Sequence, residues 1–181
     1  QLPARPGLAD YLAGRDWRAD LRRALGREHA DLQPALAAQP RLWTHNDWHV
    51  SNLCWRAAQV SAVLDFGLAS PSFALFDLAT AIERNAIAWL ALEQGHDAAH
   101  ADTALALLDG YGASPAQRRL LAGLLPMVHV DFALSEVEYF HAVTGSRRNA
   151  DVAYHTFLLG HAAWFRSASG QALLQAIRGS S

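Results

Sequence analysis

The chain has 181 residues, of which 51% are hydrophobic and 18% charged, a composition typical of one globular domain and not of a disordered segment. Its formal net charge of −2 gives no electrostatic attraction to nucleic acid or acidic lipid, so neither is an expected partner. The single cysteine excludes an internal disulfide. No apolar run approaches the roughly 20 residues of a membrane helix, and no signal peptide is recognisable. We therefore expect a cytoplasmic protein, and the abundance of Ala, Arg and Leu is typical of a GC-rich bacterial gene.

Residues 1–40 are predicted to be leading helices. Two prolines make residues 1–7 an extended lead-in, because proline does not support a helix interior. From Leu8 to about Ala38 apolar residues recur at helical spacing, and Pro40 ends the pattern.

Strand signals are concentrated in residues 41–70. The segment "RLWTH" predicts a short strand, and "NLCW" and "VSAVLDF" predict a β-hairpin across the polar turn "RAAQ". The following "GLASPS" has the glycine, proline and serines of a loop.

Residues 71–181 are predicted to be a helical region. Helical spacing runs over residues 73–92, 97–111, 147–166 and 170–178, and Ser114 followed by Pro115 predicts the start of a further helix that Pro126 interrupts. The whole chain is thus expected to be a single α+β domain that is mostly α-helical.

The segment "WTHNDWHVSNL", residues 43–53, contains a cluster of polar residues in a mostly apolar sequence. Asp47, in a loop after a short strand, can act as a general base if a neighbour orients it. Asn52 and Asp65 stand at the ends of the predicted hairpin strands, and their amide and carboxylate oxygens suit Mg²⁺. A base beside a metal-bound phosphate is the arrangement that phosphoryl transfer requires.

These motifs resemble those of the aminoglycoside phosphotransferase and choline kinase family, which is related to the protein kinases. The segment "HNDWHVSN" has the form His-x-Asp-x4-Asn, "VLDFG" follows it, and Asp77 comes twelve residues after Asp65. The resemblance extends from Leu42 to Ala79. It implies a protein-kinase-like large lobe in which a small β-hairpin carries the catalytic and metal-binding loops.

The resemblance also implies roles for individual residues. Asp47 would be the catalytic base, Asn52 and Asp65 would hold Mg²⁺, and His45 and Asp77 would orient the catalytic loop. ATP would be the phosphate donor. The acceptor would be a hydroxyl of a small molecule such as an aminoglycoside, an amino alcohol or a homoserine-like compound.

The chain departs from the family pattern in several places. It has Asn46 where the family often has glycine, Leu68 where an acidic residue is common, and "SFA" where a Gly-Asp-Pro-like turn is common. All 15 basic residues are arginine, so no lysine can hold ATP phosphates, and no G-x-G-x-x-G occurs. The N-terminal nucleotide lobe is therefore expected to be absent from this chain, and the chain alone is expected to be inactive.

Four other residues are predicted to contact substrate. Trp48 flanks the proposed base directly, and His49 is expected to be a loop residue near the substrate mouth. Asp131 and Glu136 lie in the helical segment "HVDFALSEVEYF" and could line the site for an aminated acceptor. For this acidic pair a solvated helix face is the alternative interpretation.

Two other functions are compatible with the same residues. The chain could be a non-catalytic kinase-like domain that binds or regulates a partner. Alternatively, His45, Asp47 and His49 would share one face if they formed a strand, and they could then bind the metal of a hydrolase. That hydrolase hypothesis leaves the downstream asparagine and aspartates unexplained.

Overall fold

The structure, a computed structural model, describes residues 4–26, 30–93 and 99–179. Most of these residues are helical, and the strands form two small antiparallel sheets. This architecture is compatible with the predicted mostly helical α+β class. The more specific assignment to a kinase-like large lobe stays a prediction.

The leading segment is helical but is divided into α1 (Pro6–Leu12), α2 (Trp17–Leu25) and α3 (Gln33–Ala37). Gly14 has a positive φ of 77°, a conformation that glycine adopts without strain, and it lies in the turn after α1. The side chain of Asp16 then begins α2 by accepting a hydrogen bond from a backbone N–H of the first turn.

The predicted hairpin is confirmed, with β2 at Leu53–Arg56 and β3 at Gln59–Val63. Ala57 occupies its turn with a φ of 53°. The hydrogen bond from Leu64 N to Asn52 O, 2.8 Å, extends the pairing by one residue beyond the strands. Asn52 and Asp65 therefore lie at the same end of this hairpin.

The other sheet corrects one prediction. The predicted strand β1 is present at Leu42–Thr44, but Ser70–Ser72, which turn chemistry assigns to a loop, forms its antiparallel partner β4. Pro71 is tolerated there because an edge strand does not need every N–H for pairing. This pairing brings the two ends of segment 45–69 together and so closes the predicted catalytic segment into one large loop.

The described residues after β4 are mostly helical, as predicted. In chain order the helices are α4 (Ala74–Ala86), α5 (Trp89–Glu93), α6 (Ala101–Tyr111), α7 (Pro115–Leu124), α8 (Val130–Glu138), α9 (Arg147–Val152), α10 (His161–Trp164) and α11 (Ala168–Arg178). π-Helical turns at Tyr139–Val143 and Ala153–Gly160 continue α8 and α9. Residues 97 and 98 of the predicted helical segment 97–111 lie outside the described residues.

Two groups of buried apolar side chains stabilise the helical region. One joins α4, α6, α7 and α11 around residues such as Ile82, Leu108 and Leu121, which are fully buried. The other packs α1 against α8 and the π-helical turn before α10. Helix α4 thus has one face in a rigid core, which makes it a firm support for the loop above it.

One continuous helical stretch, Pro115–Val143, has 29 residues and a window of mean hydropathy 1.5, so by length and composition alone it could cross a membrane. Half of that window (50%) is buried inside the protein. Core helices of soluble proteins can have the same length and composition. Charged residues such as Asp131 interrupt the stretch, so no purely apolar run is apparent in the sequence. The absence of a membrane partner stays a prediction.

Helix α7 begins with the predicted cap, which provides a test of local stability. Ser114 Oγ accepts from Gln117 N at 3.3 Å, and Gln117 Oε1 accepts from Ser114 N at 2.9 Å, a reciprocal capping box. We expect Ser114→Ala to lower the free energy of unfolding by about 1 kcal/mol, measured by urea denaturation. Gln117→Glu retains the acceptor and should remain close to the unmodified chain, and an equal loss in both variants would contradict this account.

Candidate active site

The loop after β1 is held by hydrogen bonds to Asp77, which lies in the first turn of α4. The carboxylate accepts hydrogen bonds from the backbone N–H of His45 at 2.8 Å and of Asn46 at 2.6 Å. It also accepts one from the indole Nε1 of Trp48 at 3.0 Å. Three donors within four consecutive residues thus converge on one side chain, so Asp77 determines the conformation of the loop.

The buried side chain of His45 also stabilises this loop. The ring is buried, with an exposed fraction of 5%, and Nε2 lies 2.8 Å from the carbonyl oxygen of Leu64. Because a carbonyl only accepts, Nε2 carries the proton, and Nδ1 is the acceptor for the Asp47 N–H at 3.2 Å. His45 therefore links the loop to the end of the hairpin as a neutral imidazole.

Asn46 explains one departure from the family pattern. Its φ is 62°, in the left-handed region that asparagine tolerates better than most residues. Its side chain accepts from Thr44 Oγ1 at 2.8 Å and donates to Ser70 Oγ at 2.8 Å and to Leu68 O at 3.0 Å. Asparagine thus adopts the backbone conformation that glycine would allow and adds contacts across the base of the loop.

Asp47 has two differently engaged oxygens. Oδ2 accepts from Asn52 Nδ2 at 3.1 Å. Oδ1 lies 3.1 Å from Arg84 Nη2, but no N–H of the described residues points at it well enough to form a hydrogen bond. The pair is therefore an ion pair by distance only. Oδ1 is buried and accepts no hydrogen bond from the described residues, so it has acceptor capacity left for an incoming hydroxyl beside the positive charge of Arg84.

The predicted metal ligands offer oxygen atoms at one end of the hairpin. Asn52 uses its Nδ2 to donate to Asp47, and its Oδ1 accepts no hydrogen bond from the described residues. Asp65 is exposed, has a φ of 58°, and uses one oxygen to accept from Gly67 N at 3.3 Å. One amide oxygen and one carboxylate oxygen fit Mg²⁺, which takes few protein ligands and completes its shell with water or phosphate. Their convergence on one ion stays a prediction.

The hydrolase hypothesis fails on its structural premise. Residues 45–49 do not form a strand, so His45, Asp47 and His49 do not alternate on one face. Both ring nitrogens of His45 are engaged within the loop, and His49 Nδ1 bonds to Ser51. Within residues 4–26, 30–93 and 99–179, no group of three or more His, Cys, Asp or Glu side chains could hold a metal ion.

A cavity of about 750 Å³ lies beside this loop, a size typical of small-molecule sites. Its lining includes Asn46, β4, part of α4, the α8 segment and His161 of α10. Asp131 and Glu136 are among the lining residues, whereas Trp48 and His49 are not. Asp131 is largely exposed and pairs with Arg5 at 3.5 Å. Burial raises the pKa of Glu136, and Arg84 opposes that shift.

Two functional residues of α4 are missing from the predictions. Arg84 pairs with Asp47 and also lines the cavity. Asn85 accepts from Val50 N at 2.9 Å and donates to Trp48 O at 3.0 Å. Both lie on the same face of α4 as Asp77, about two turns later, because two turns of an α-helix take about seven residues. The run "ERN" in an otherwise apolar helix is the signal that could have found them.

Comparison with known families agrees with this geometry. The family model described as the phosphotransferase enzyme family matches residues 1–121, which include the loop, the hairpin and α4. Neither the curated proteins nor the solved structures searched contain a match. The chain therefore belongs to the phosphotransferase enzyme family, which confirms the resemblance to the aminoglycoside phosphotransferases and choline kinases.

Proposed function

We propose that this protein transfers the γ-phosphate of ATP to a hydroxyl group of a small molecule. The observation that carries the proposal is the position of Asp47, whose Oδ1 accepts no hydrogen bond from the described residues and lies beside Arg84, a residue that lines a cavity of small-molecule size. Family membership supports phosphoryl transfer as the reaction class. The donor, the acceptor and the metal are parts of the proposal.

The chemistry follows from the positions of these side chains. Asp47 Oδ1 accepts the proton of the acceptor hydroxyl while the hydroxyl oxygen forms a bond to the γ-phosphorus, and the bond from that phosphorus to the β-bridging oxygen breaks to release ADP. Arg84 holds the carboxylate in place with its positive charge. Mg²⁺ bound by Asn52 and Asp65 would supply neutralising charge to the phosphates.

Donor binding is the weak part of this chain on its own. A sequence without lysine lacks the ammonium group that pairs with ATP phosphates in related kinases, and the leading segment is helical where the family has a nucleotide lobe. We therefore propose that the 181-residue chain folds but transfers phosphate at background rates. Positioning and charge stabilisation supply most of the catalysis in phosphoryl transfer, so the loss of the donor clamp should be severe.

The test is an ADP-release assay on two proteins, the 181-residue chain and the product of the complete reading frame. The panel should contain aminoglycosides, amino alcohols, homoserine and neutral sugars, each with and without Mg²⁺. We expect acceptor-dependent and Mg²⁺-dependent ADP release from the second protein only. Robust turnover by the short chain would contradict the proposed donor site, and no turnover by either would favour the non-catalytic binding or regulatory domain.

A further inference from the structure

Four side chains at the buried end of the cavity have no role in the mechanism above. They are Glu83, Trp89, His129 and His161, and we call them the inner cluster. The His161 ring stacks on Trp89 with ring centres 3.7 Å apart and planes inclined by 9°. His161 Nδ1 lies 4.0 Å from Glu83 Oε1, and the His129 ring centre is 5.4 Å from that of His161. These residues come from separate helical segments and meet only at the cavity.

His129 presents a buried acceptor with no partner. Its Nε2 lies 3.1 Å from the carbonyl oxygen of Leu158 and therefore carries the proton. Nδ1 is then a bare lone pair, and it forms no hydrogen bond to any residue that the structure describes. The residue is only 7% exposed, and burial lowers its pKa to about 4, so the ring is neutral. A buried unpaired acceptor is unfavourable, and a ligand N–H or O–H would satisfy it.

Trp89 has a buried donor that needs an acceptor. Its Nε1 is a buried donor and forms no hydrogen bond of ordinary geometry to the described residues. The indole lies near enough to the Glu83 carboxyl to oppose the rise in that group's pKa, but the two groups do not meet the geometry of a hydrogen bond. A ligand oxygen would be a better acceptor for this N–H.

The charged groups at this end of the cavity are Glu83 and the neighbouring Arg84. Burial raises the pKa of Glu83 to about 7 against the opposing effect of Arg84, and Arg84 Nε lies 3.9 Å from Glu83 Oε2. Arg84 therefore lies beside two carboxyl groups, those of Glu83 and Asp47. Burial lowers the pKa of His161 to about 3, so His161 adds no positive charge. Asp131 and Glu136 also line the cavity, so its charges do not exclude an ammonium group, and the unpaired hydrogen-bonding atoms of the inner cluster carry the inference.

We propose that the inner cluster binds a hydroxyl group of the ligand, so that this cavity takes a sugar or other polyol. A hydroxyl can donate to His129 Nδ1 and accept from Trp89 Nε1, whereas an ammonium only donates and a carboxylate only accepts. The aromatic walls of the cavity, such as Phe157, suit the C–H faces of a sugar ring. The proposal rests on the proposed function only in treating this ligand as the phosphate acceptor.

The experiment measures equilibrium binding without ATP, by ligand-observed NMR titration of the 181-residue chain. The neutral probes are glucose, ribose and myo-inositol, and the charged probes are ethylamine and alanine, which have no hydroxyl group. We expect at least one neutral probe to bind about tenfold more tightly than either charged probe, the effect of one well-made buried hydrogen bond. Tighter binding of a charged probe, or no binding of any neutral probe, would overturn the proposal.

Two variants test the residues themselves. His129→Gln keeps an amide N–H that can reach Leu158 O but removes the imidazole Nδ1, and it should weaken binding of the neutral probe about tenfold. His155→Gln makes the same change at an exposed histidine and should have no effect. Trp89→Phe keeps a ring against His161 and removes the indole N–H, and it should also weaken binding of the neutral probe about tenfold. It serves as the test if His129→Gln does not fold.

The outcomes separate this inference from the proposed function. If a folded His129→Gln variant bound the neutral probe with unchanged affinity, the inner cluster would not be a hydroxyl site, even if ADP release were observed. The same conclusion would follow from unchanged affinity in Trp89→Phe if His129→Gln does not fold. Binding of a neutral probe that depends on His129, with no ADP release from the complete protein, would leave the inner cluster standing and remove the proposed reaction.

Discussion

Replacing Asp47 by Asn in the complete protein is expected to lower kcat by at least about a hundredfold, the usual contribution of a positioned general base. The amide has nearly the same shape, so Asn52 and the loop keep a similar neighbour, but the side chain can no longer take the hydroxyl proton. The KM for ATP should change little, because no donor contact is assigned to Asp47. Steady-state ADP release at saturating acceptor measures the effect.

A matched control separates this loss from a general effect of removing a carboxylate. Asp109 is an exposed carboxylate (71% side-chain exposure) that pairs with Arg118 at 2.6 Å, and this pair is not part of the proposed site. Asp109→Asn makes the same chemical change and should leave kcat unchanged. If Asp47→Asn turned over as fast as the unmodified protein, Asp47 would not be the base.

The features of the fold that depend on local chemistry are predictable from sequence. The hairpin β2–β3 follows from two short runs separated by a turn, and the start of α7 follows from Ser114 and Pro115. Strand β4 could not be predicted because it forms through pairing with β1, about 28 residues earlier in the register, while its own residues favour turns. The break between α1 and α2 depends on one glycine in the left-handed region.

The candidate site divides in the same way. Asp47, Asn52, Asp65 and Asp77 could be proposed because their spacing matches a family pattern, and the structure brings Asp77 and Asn52 into contact with the loop that contains Asp47. The inner cluster could not be proposed, because its four residues come from different helical segments with no common spacing. Only the packing of those helices shows that their polar atoms face one cavity.

Asp77 gives the second large effect, and here stability and function should fall together. Its carboxylate accepts from two backbone N–H groups and one indole N–H. Asp77→Ala would leave all three donors without that partner. Because hydrogen bonds to a charged group are each worth about 1.5–3 kcal/mol and are not additive, we expect the free energy of unfolding to fall by about 3–5 kcal/mol.

The competing explanation is that Asp77 merely stabilises the positive end of α4, which would be worth only about 0.3–1 kcal/mol. Asp102 tests this directly, because it is an exposed acid in the first turn of α6. Urea denaturation of both alanine variants should therefore give a loss several times larger for Asp77→Ala than for Asp102→Ala. The Asp77→Ala variant of the complete protein should also lose phosphate transfer, since the backbone on each side of His45 is no longer held. Equal small losses of stability would assign Asp77 to the helix alone, and the geometry of Asp47 would then have to depend on His45 and Asn85.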